Sequence, residues 1–383
     1  MTDISQSSTS LPTLTKPPVQ KIAYRGDVGD IIGLHVINLL LNICTLGVYS
    51  FWGKTRIRRY MTSHLTLGKD SFQYTGTGLE LFFGWIKALI IFIPLIIMLM
   101  IPVVNVVVYP IFFGMISVAI YLAMRYRLSR TTWRGVRFAL GGSAMSYLWL
   151  SIRRTLVNFF TLGLKIPKSD IIKWTYLANH IKYGETKFTY SGAHEKLFRI
   201  HIATIGIGFG LFLIYGGYLG FHIADFAAFK ALKPPAGTVI ATPEQAEKAK
   251  QVAEQAVEAA IGGVFKLILP VYAVILGVLV ARMWYYAELW QEKFRGLRLG
   301  ELRFKLDVTA PAMIKMYALN LAILIFTLGL GAPITTHLIV RFFTSRLKIG
   351  GDIDALIVEQ NKTPLGTGMG DALAADVGFD LGL

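Results

Sequence analysis

Residues 36–76 read VINLLLNICTLGVYSFWGKTRIRRYMTSHLTLGKDSFQYTG, and this stretch decides how the rest of the chain is organised. It contains an apolar helical segment, a Thr-Leu-Gly turn, a basic segment and a strand-like run that ends in glycine. A shift of 116 positions, from 42 to 158, places ten of its residues on identical residues without a gap. These are Asn42, Thr45, Leu46, Gly47, Tyr60, His64, Gly68, Phe72, Tyr74 and Gly76, which fall on Asn158, Thr161, Leu162, Gly163, Tyr176, His180, Gly184, Phe188, Tyr190 and Gly192. The identities indicate an internal repeat.

The composition is that of a membrane protein. Hydrophobic residues make up 54% of the 383 residues, charged residues make up 16%, and the mean hydropathy is +0.53. Apolar runs approach the roughly 20 residues that a helix needs to cross a bilayer, at 31–49, 81–100, 103–124, 147–164, 200–223, 264–283 and 317–340. A soluble protein with many buried helices fits less well, because most of the longest runs lack a polar stripe. The sequence therefore predicts a polytopic α-helical membrane protein with about seven hydrophobic spans.

The net charge of +16 raises the possibility of a nucleic-acid partner. However, the basic residues lie between and beside the apolar runs, where cytoplasmic loops of membrane proteins carry an excess of Lys and Arg. We therefore expect no nucleic acid as a partner, and we expect the lipid bilayer, anionic lipids in particular, in its place.

Short strand signals divide the chain into repeated units. Leu67-Gly68 leads to Phe72-Gln73-Tyr74, and similar glycine turns followed by alternating apolar residues recur further on. Between them we predict pseudo-repeated helical hairpins at 27–65, 77–128, 143–181, 193–292 and 308–347. These hairpins form a membrane domain over 21–358, and the short β-strands form a cytoplasmic layer. A disordered tail over 1–20, an outer loop insertion at 224–263 and a flexible acidic C-terminal tail over 359–383 complete the expected organisation.

The first, third and fifth hairpins share the Thr-Leu-Gly turn, at Thr45, Gly47, Thr161, Gly163, Thr327 and Gly329. Charge placement puts every strand region on the cytoplasmic side, so these hairpins must return to the side from which they start. Their second arms carry too many cations to cross the hydrocarbon core. We therefore expect some of the spans to be re-entrant, with the strand layer and the C-terminus in the cytoplasm.

The motifs resemble those of the bacterial YjgN family, also called DUF898. The resemblance is carried by Ala23-Tyr24-Arg25-Gly26, by the run from Thr45 through Trp52 to Arg56, and by Phe72-Gln73-Tyr74-Thr75-Gly76. It extends over roughly residues 20–383. It implies a multi-pass inner-membrane protein of Gram-negative bacteria, and it implies no activity and no catalytic residues.

Polar side chains within the apolar runs are the candidate functional residues. Asn38, Asn42, Asn158 and Asn320, with His35 nearby, lie on the first arms of the Thr-Leu-Gly hairpins. If these arms converge, we expect them to line a polar cavity that is open to the cytoplasm. The alternative is that the asparagines only make hydrogen bonds between helices.

A second group of candidates lies on the basic second arm of the first hairpin. Trp52, Lys54, Arg56, Arg58, Arg59 and Tyr60 combine cations with amphipathic aromatic rings, which suits lipid headgroups. The alternative is that these cations only determine topology. The sequence carries no metal, nucleotide or nucleophile motif, so we expect no metal, no cofactor and no enzymatic activity.

Two functions follow as expectations. The first is a transporter or channel-like protein for a small solute, since repeats around a central site are typical of transporters. The second is a membrane scaffold or lipid-interacting protein that acts through its basic cytoplasmic face.

Overall fold

The computed structural model describes residues 19–101, 103–222, 243–355 and 358–360. Within these residues the chain forms ten strands and ten helices, and the strands close into one antiparallel barrel. The predicted fold class is therefore wrong in its main feature. The centre of the molecule is a closed β-barrel, whereas the sequence predicted a polytopic α-helical protein whose short strands form only a layer on one side.

The barrel strands follow one another around the ring in chain order. They are β1 Val19–Tyr24, β2 Leu65–Leu67, β3 Asp70–Tyr74, β4 Thr131–Trp133, β5 Val136–Leu140, β6 Ile181–Tyr183, β7 Thr186–Tyr190, β8 Leu297–Leu299, β9 Leu302–Leu306 and β10 Leu347–Gly350. The ring closes where β1 pairs with β10, with Val19 opposite Gly350. Strands of three to six residues are shorter than the nine to eleven that a membrane-spanning strand needs. The barrel is therefore not a bilayer-spanning one.

Aromatic and aliphatic side chains fill the barrel. Strand residues alternate between a buried and an exposed face, and the rings of Phe72, Trp133, Phe138 and Tyr183 pack at centroid distances of 4.8–6.3 Å. The same buried core continues into the helices through Tyr121 and Tyr285. Its packing shows that this barrel is a structural core.

A pair of helices lies between successive pairs of barrel strands. The helices are α1 Val28–Cys44, α2 Ser50–Ser63, α3 Gly78–Met98, α4 Asn105–Arg130, α5 Ala144–Phe160, α6 Ile166–His180, α7 Glu195–Phe221, α8 Pro243–Arg295, α9 Ala310–Phe326 and α10 Ala332–Thr344. Neighbouring pairs pack together in a ring: α2 against α3, α4 against α5, α6 against α7, α8 against α9, and α10 against α1. Five helical hairpins therefore stand at one end of the barrel, and the tight β-turns form its other end.

The expected number of spans is also wrong. Among the described residues, three helical segments are long and apolar enough to cross a membrane: Gly78–Met98, Glu195–Phe221 and Ile268–Arg295. Helices α1 and α9 are apolar but have 17 residues each, about 25 Å at 1.5 Å per residue, which is short of the roughly 30 Å of hydrocarbon. The apolar run at 31–49 ends in a turn and the run at 317–340 contains one in its middle, and this is why hydropathy overestimated the spans.

The ends of the chain lie largely outside the described residues. This applies to 1–18 of the predicted N-terminal tail, to 224–242 of the predicted outer loop and to 361–383 of the predicted C-terminal tail. Residues 19 and 20 belong to β1. At the turn end of the barrel, Gln360 donates to the carbonyl of Gly135 at 3.2 Å and accepts from the main-chain N–H of Arg137 at 3.0 Å. The described part of the C-terminal segment therefore covers the turns.

Candidate functional site: a polar cleft between the first and fifth hairpins

The three Thr-Leu-Gly turns share one backbone conformation. At the first, the Gly47 N–H donates to the Asn42 carbonyl at 2.8 Å, which closes the end of α1. The Thr45 hydroxyl donates to the Leu41 carbonyl at 2.8 Å and accepts from the Tyr49 N–H at 2.9 Å, so one side chain joins α1 to α2. Leu46, Leu162 and Leu328 all have φ near +50° and are 94%, 90% and 91% exposed. Each hairpin therefore ends in an exposed apolar tip.

A polar cleft of about 300 Å³ opens beside the first of these hairpins. It lies between α1, α2 and α10, because ring closure brings the fifth hairpin against the first. Its polar lining consists of His35, Asn38, Asn42, Ser50, Lys54, Arg58 and Thr336. The structure therefore brings three residues of the predicted cavity together with two of the predicted headgroup-binding cations.

Several polar atoms of the cleft are buried without a hydrogen-bond partner in the described part of the chain. These atoms are His35 Nε2, Asn38 Oδ1 and Asn42 Oδ1. Asn38 is 6% exposed, and its Nδ2 makes a long bond of 3.4 Å to the Gly53 carbonyl. A buried polar group without a partner costs about 1–3 kcal/mol, so these atoms are suited to a polar ligand or to water.

Gly53 explains why the cleft exists at this hairpin. In the third hairpin, Asn158 Oδ1 accepts a hydrogen bond of 2.7 Å from the hydroxyl of Ser169. The position that corresponds to Ser169 in the first hairpin is Gly53, which has no side chain to offer Asn42. A Cβ placed on Gly53 would lie 3.3 Å from Asn38 Cγ. The glycine therefore leaves the side-chain oxygen of Asn42 without a hydrogen-bond partner and leaves space beside it.

The electrostatics of the cleft favour an anion. Lys54 and Arg58 are one helical turn apart on α2, and the residues that the structure describes in the lining include no acidic side chain. Burial lowers the pKa of His35 below its ordinary value, so the imidazole is neutral at neutral pH and offers one donor and one acceptor. The described lining can therefore combine cationic attraction with hydrogen bonds from neutral groups.

The other predicted cavity residues lie elsewhere. Asn158 is at the tip of the third hairpin, where a separate surface pocket includes Phe159 and Leu162. Asn320 is buried on α9 with neither amide atom bonded within the described residues. The lining of the cleft includes neither of them.

Some of the predicted headgroup-binding residues make contacts within the protein, and others are exposed. Trp52 packs against Phe82 in a tilted arrangement, with ring centroids 6.0 Å apart. Tyr60 donates to Asp30 at 2.9 Å, which ties the end of α2 to the start of α1. Arg59 donates to the Gly76 carbonyl at 3.2 Å, whereas Arg56 is exposed.

One buried polar group was missed by sequence reasoning. His201, on α7, lies between the carbonyl of Gly163 at 3.0 Å and the guanidinium of Arg282 at 2.7 Å. A histidine and an arginine within long apolar runs were the only signal in the sequence. In the described residues, no group of three or more potential ligands is arranged to hold a metal ion.

Comparisons with known proteins give a family and two relatives. A family model described as a bacterial protein of unknown function, DUF898, matches residues 19–374. The inner membrane protein YjgN of Salmonella typhimurium is 23% identical over 380 residues, covering 90% of this chain and 92% of that protein. The inner membrane protein YjgN of Escherichia coli O157:H7 is 27% identical over 151 residues, covering 38% of this chain and 37% of that protein. No solved structure gives a significant match.

Proposed function

This chain belongs to the DUF898 family of bacterial proteins, as its motifs predict, and from that premise we propose that it binds anionic lipids in the polar cleft. The protein is a membrane protein of the bacterial inner membrane, as are the relatives named YjgN. The proposed function is non-enzymatic. The single observation that carries it is the position of Lys54 and Arg58 in a cleft whose described lining includes no acidic side chain. The unpartnered oxygens of Asn38 and Asn42 can only accept hydrogen bonds, so they suit the hydroxyl groups of a headgroup and not its phosphate.

The surroundings of the cleft support a lipid as the ligand. The outer face of α1 exposes Val36, Leu40 and Ile43 next to the polar lining. A headgroup in the cleft would accept hydrogen bonds from Lys54 and from the hydroxyl of Ser50, while acyl chains would follow the apolar face of α1. A free anion would contact only the polar lining of the cleft and not the apolar face of α1.

We also propose that the barrel lies in the cytoplasm and that the hairpin tips enter the bilayer. Both ends of every helical hairpin join the barrel, so each hairpin must cross the membrane an even number of times or not at all. The fourth hairpin contains two candidate spans, Glu195–Phe221 and Ile268–Arg295. In the second hairpin α3 is a candidate span, and α4, with 26 residues, is long enough to return. The orientation agrees with the exposed apolar tips and with the basic strands.

A contact of the third hairpin indicates how deeply the short hairpins enter the bilayer. His201 lies six residues into α7, about 9 Å from the start of that helix at 1.5 Å per residue. Because its ring bonds Gly163, the tip of the third hairpin lies near that level. This is well short of the roughly 30 Å that a span must cover, which favours a hairpin that enters the bilayer and returns.

Lipid binding is tested with the purified protein in nanodiscs that contain phosphatidylglycerol or only phosphatidylcholine, with retained lipids counted by native mass spectrometry. Gly53→Ser gives Asn42 the partner that Asn158 has, and Lys54→Gln removes the cation. We expect Lys54→Gln to reduce phosphatidylglycerol retention about tenfold, the effect of one charge-assisted hydrogen bond. Gly53→Ser should reduce it less, because it occupies only a neutral oxygen that would otherwise accept from a headgroup hydroxyl. Asn158→Leu and Lys168→Gln are matched controls outside the cleft. Unchanged retention in both cleft variants would refute the proposal.

Transport of a small solute has less support. The cleft is polar, but the barrel below it is filled by Phe72, Trp133 and Tyr183, which leaves a translocation path to be formed between the helices alone. If inorganic phosphate displaced phosphatidylglycerol from the cleft and crossed proteoliposomes in a Lys54-dependent way, transport would replace lipid binding as the better proposal.

A further inference from the structure

The contacts of His201 define one protonation state. The Gly163 carbonyl can only accept a hydrogen bond, so Nε2 at 3.0 Å must carry the hydrogen. The guanidinium of Arg282 can only donate, so Nδ1 at 2.7 Å must present its lone pair. Both ring nitrogens are therefore committed, and this geometry requires the neutral imidazole.

The position of Arg282 is fixed from its other side. Its guanidinium carbon lies 4.5 Å from the ring centroid of Tyr285 and 5.5 Å from that of Tyr286. Tyr285 is fully buried, and its hydroxyl donates to Asp170 on α6 at 2.6 Å. The imidazole of His201 is itself 5.3 Å from the Tyr285 ring. Rings and a carboxylate from two helices therefore hold Arg282 in place.

The charged groups around His201 are few. Arg282 and Tyr285 face it from α8, and Asp170 faces it from α6. Lys173 and Lys293 also interact electrostatically with Asp170. A second proton on His201 would place a cation directly against Arg282, with Asp170 already engaged by Tyr285 and the two lysines.

We propose that His201 is a proton-binding site that latches the tip of the third hairpin to the fourth hairpin. In the neutral state, the imidazole joins Gly163, at the tip, to Arg282. When Nδ1 takes a proton from the solvent, it loses its acceptor lone pair and is repelled by the guanidinium. Because Arg282 is held by Tyr285 and Tyr286, the imidazole moves and leaves the Gly163 carbonyl. Acidification therefore releases the tip.

The site suits a proton better than a larger ligand. His201 is 1% exposed, and its neighbours Leu197 and Thr204 are also buried. The site lies about 9 Å along α7 from the barrel end, close to the charged pair of Lys196 and Glu288. A proton can reach this depth through small rearrangements that admit no larger ion.

The test is hydrogen–deuterium exchange of the full-length protein in nanodiscs at pH 8 and pH 5.5, comparing wild type with His201→Gln at each pH. Glutamine keeps one donor and one acceptor but takes no proton. At pH 5.5 we expect residues 157–166 to exchange about tenfold faster in the wild type, the effect of losing one hydrogen bond on a local opening equilibrium. At pH 8 the two proteins should exchange alike.

The equivalent tips at 41–50 and 323–332 are internal controls, because neither bonds His201. At each pH value, these two tips should exchange at the same rate in the wild type as in His201→Gln. Arg282→Gln is the second variant: it removes the repulsion, so the tip should stay protected at pH 5.5 although His201 can still take a proton. The proposal is overturned if wild type and His201→Gln exchange alike at pH 5.5, or if Arg282→Gln releases the tip as the wild type does.

Discussion

Arg134 and Ile353 are 219 positions apart, and a hydrogen bond of 3.1 Å joins the guanidinium Nη1 of the first to the main-chain carbonyl of the second. The same guanidinium donates to Asp70 at 2.6 Å and to Asp354. The Ile353 side chain is buried in the main core. Arg134 therefore links two β-turns of the barrel to the segment that covers them.

Replacing Arg134 should loosen this cover. We expect Arg134→Ala to lower the free energy of unfolding by about 1–2 kcal/mol, because it removes a hydrogen bond to a buried segment together with two partly exposed ion pairs. Thermal unfolding in detergent measures the loss. Arg25→Ala is the control, since Arg25 is exposed and has no ion-pair partner among the described residues. Equal midpoints for the two variants would contradict the role given to Arg134.

Two glycines in the β-turns allow the cost of backbone strain to be measured separately from the cost of a steric clash. Gly184 has φ +55°, and a Cβ there would lie 2.1 Å from the Glu359 carbonyl oxygen. Gly135 has φ +73°, and a Cβ there would meet nothing within 4 Å. Gly135→Ala should therefore cost only the left-handed conformation, about 1 kcal/mol, whereas Gly184→Ala should cost more and expose the C-terminal segment. Carboxypeptidase digestion should be faster in Gly184→Ala alone.

Asp307 gives a prediction for pH dependence. Its carboxylate accepts hydrogen bonds from Lys348 at 2.6 Å and Lys305 at 3.1 Å, and these hold its pKa below the ordinary value. An Asp with a lowered folded pKa stabilises the protein fully above its unfolded pKa of about 3.9, and the contribution is lost as the pH falls through the folded value.

The variant Asp307→Asn should therefore be less stable than wild type at pH 7 and equally stable at low pH. The side chain is 36% exposed, so the difference at pH 7 should stay below about 1 kcal/mol. Unfolding free energies measured from pH 7 down to pH 2 test this. A difference that stayed constant across the range would show that the two ion pairs do not stabilise the fold.

Local sequence patterns were sufficient to predict the β-turns, but they were insufficient to predict that the strands close into a barrel. Gly68, Gly184 and Gly300 all have positive φ in the β-turns, and glycine is the residue that such turns favour. The pairing of Val19 with Gly350, however, joins the two ends of the described chain. No local pattern encodes it, and without it the strands look like an open layer.

The candidate site was predictable to the same extent. Asn38 and Asn42 are four residues apart and must share a helix face, so their meeting in one cleft follows from the sequence. Pro333 and Thr336 come from the fifth hairpin, which meets the first only because the ring closes. The significance of Gly53 also needed the structure, since its effect is the absence of a partner for Asn42.

Like charges face each other on the outer surface of the barrel. Arg298 is directly opposite Arg303 across β8 and β9, and such pairs are destabilising. Arg298→Glu should replace repulsion by attraction and raise stability by about 0.2–1 kcal/mol, an effect that high salt should reduce. The double variant Arg298→Glu/Arg303→Glu restores a like-charged pair and should lose the gain. Thermal midpoints at low and high salt check both statements.

The single cysteine allows the depth of the first hairpin tip to be measured without adding a label site. Cys44 is exposed and ends α1, two residues before Leu46. If the tip enters the bilayer, a fluorophore on Cys44 should be quenched by nitroxide-labelled lipids more strongly than by a water-soluble quencher. Leu46→Asp should reverse this order, because a charged side chain in the hydrocarbon costs about 2.5–3.5 kcal/mol. Leu162→Asp, at a different tip, should leave the depth of Cys44 unchanged. Stronger quenching from water in the wild type would place the tip outside the bilayer, and the exposed leucines, each held at φ near +50°, would then have to pack against another protein.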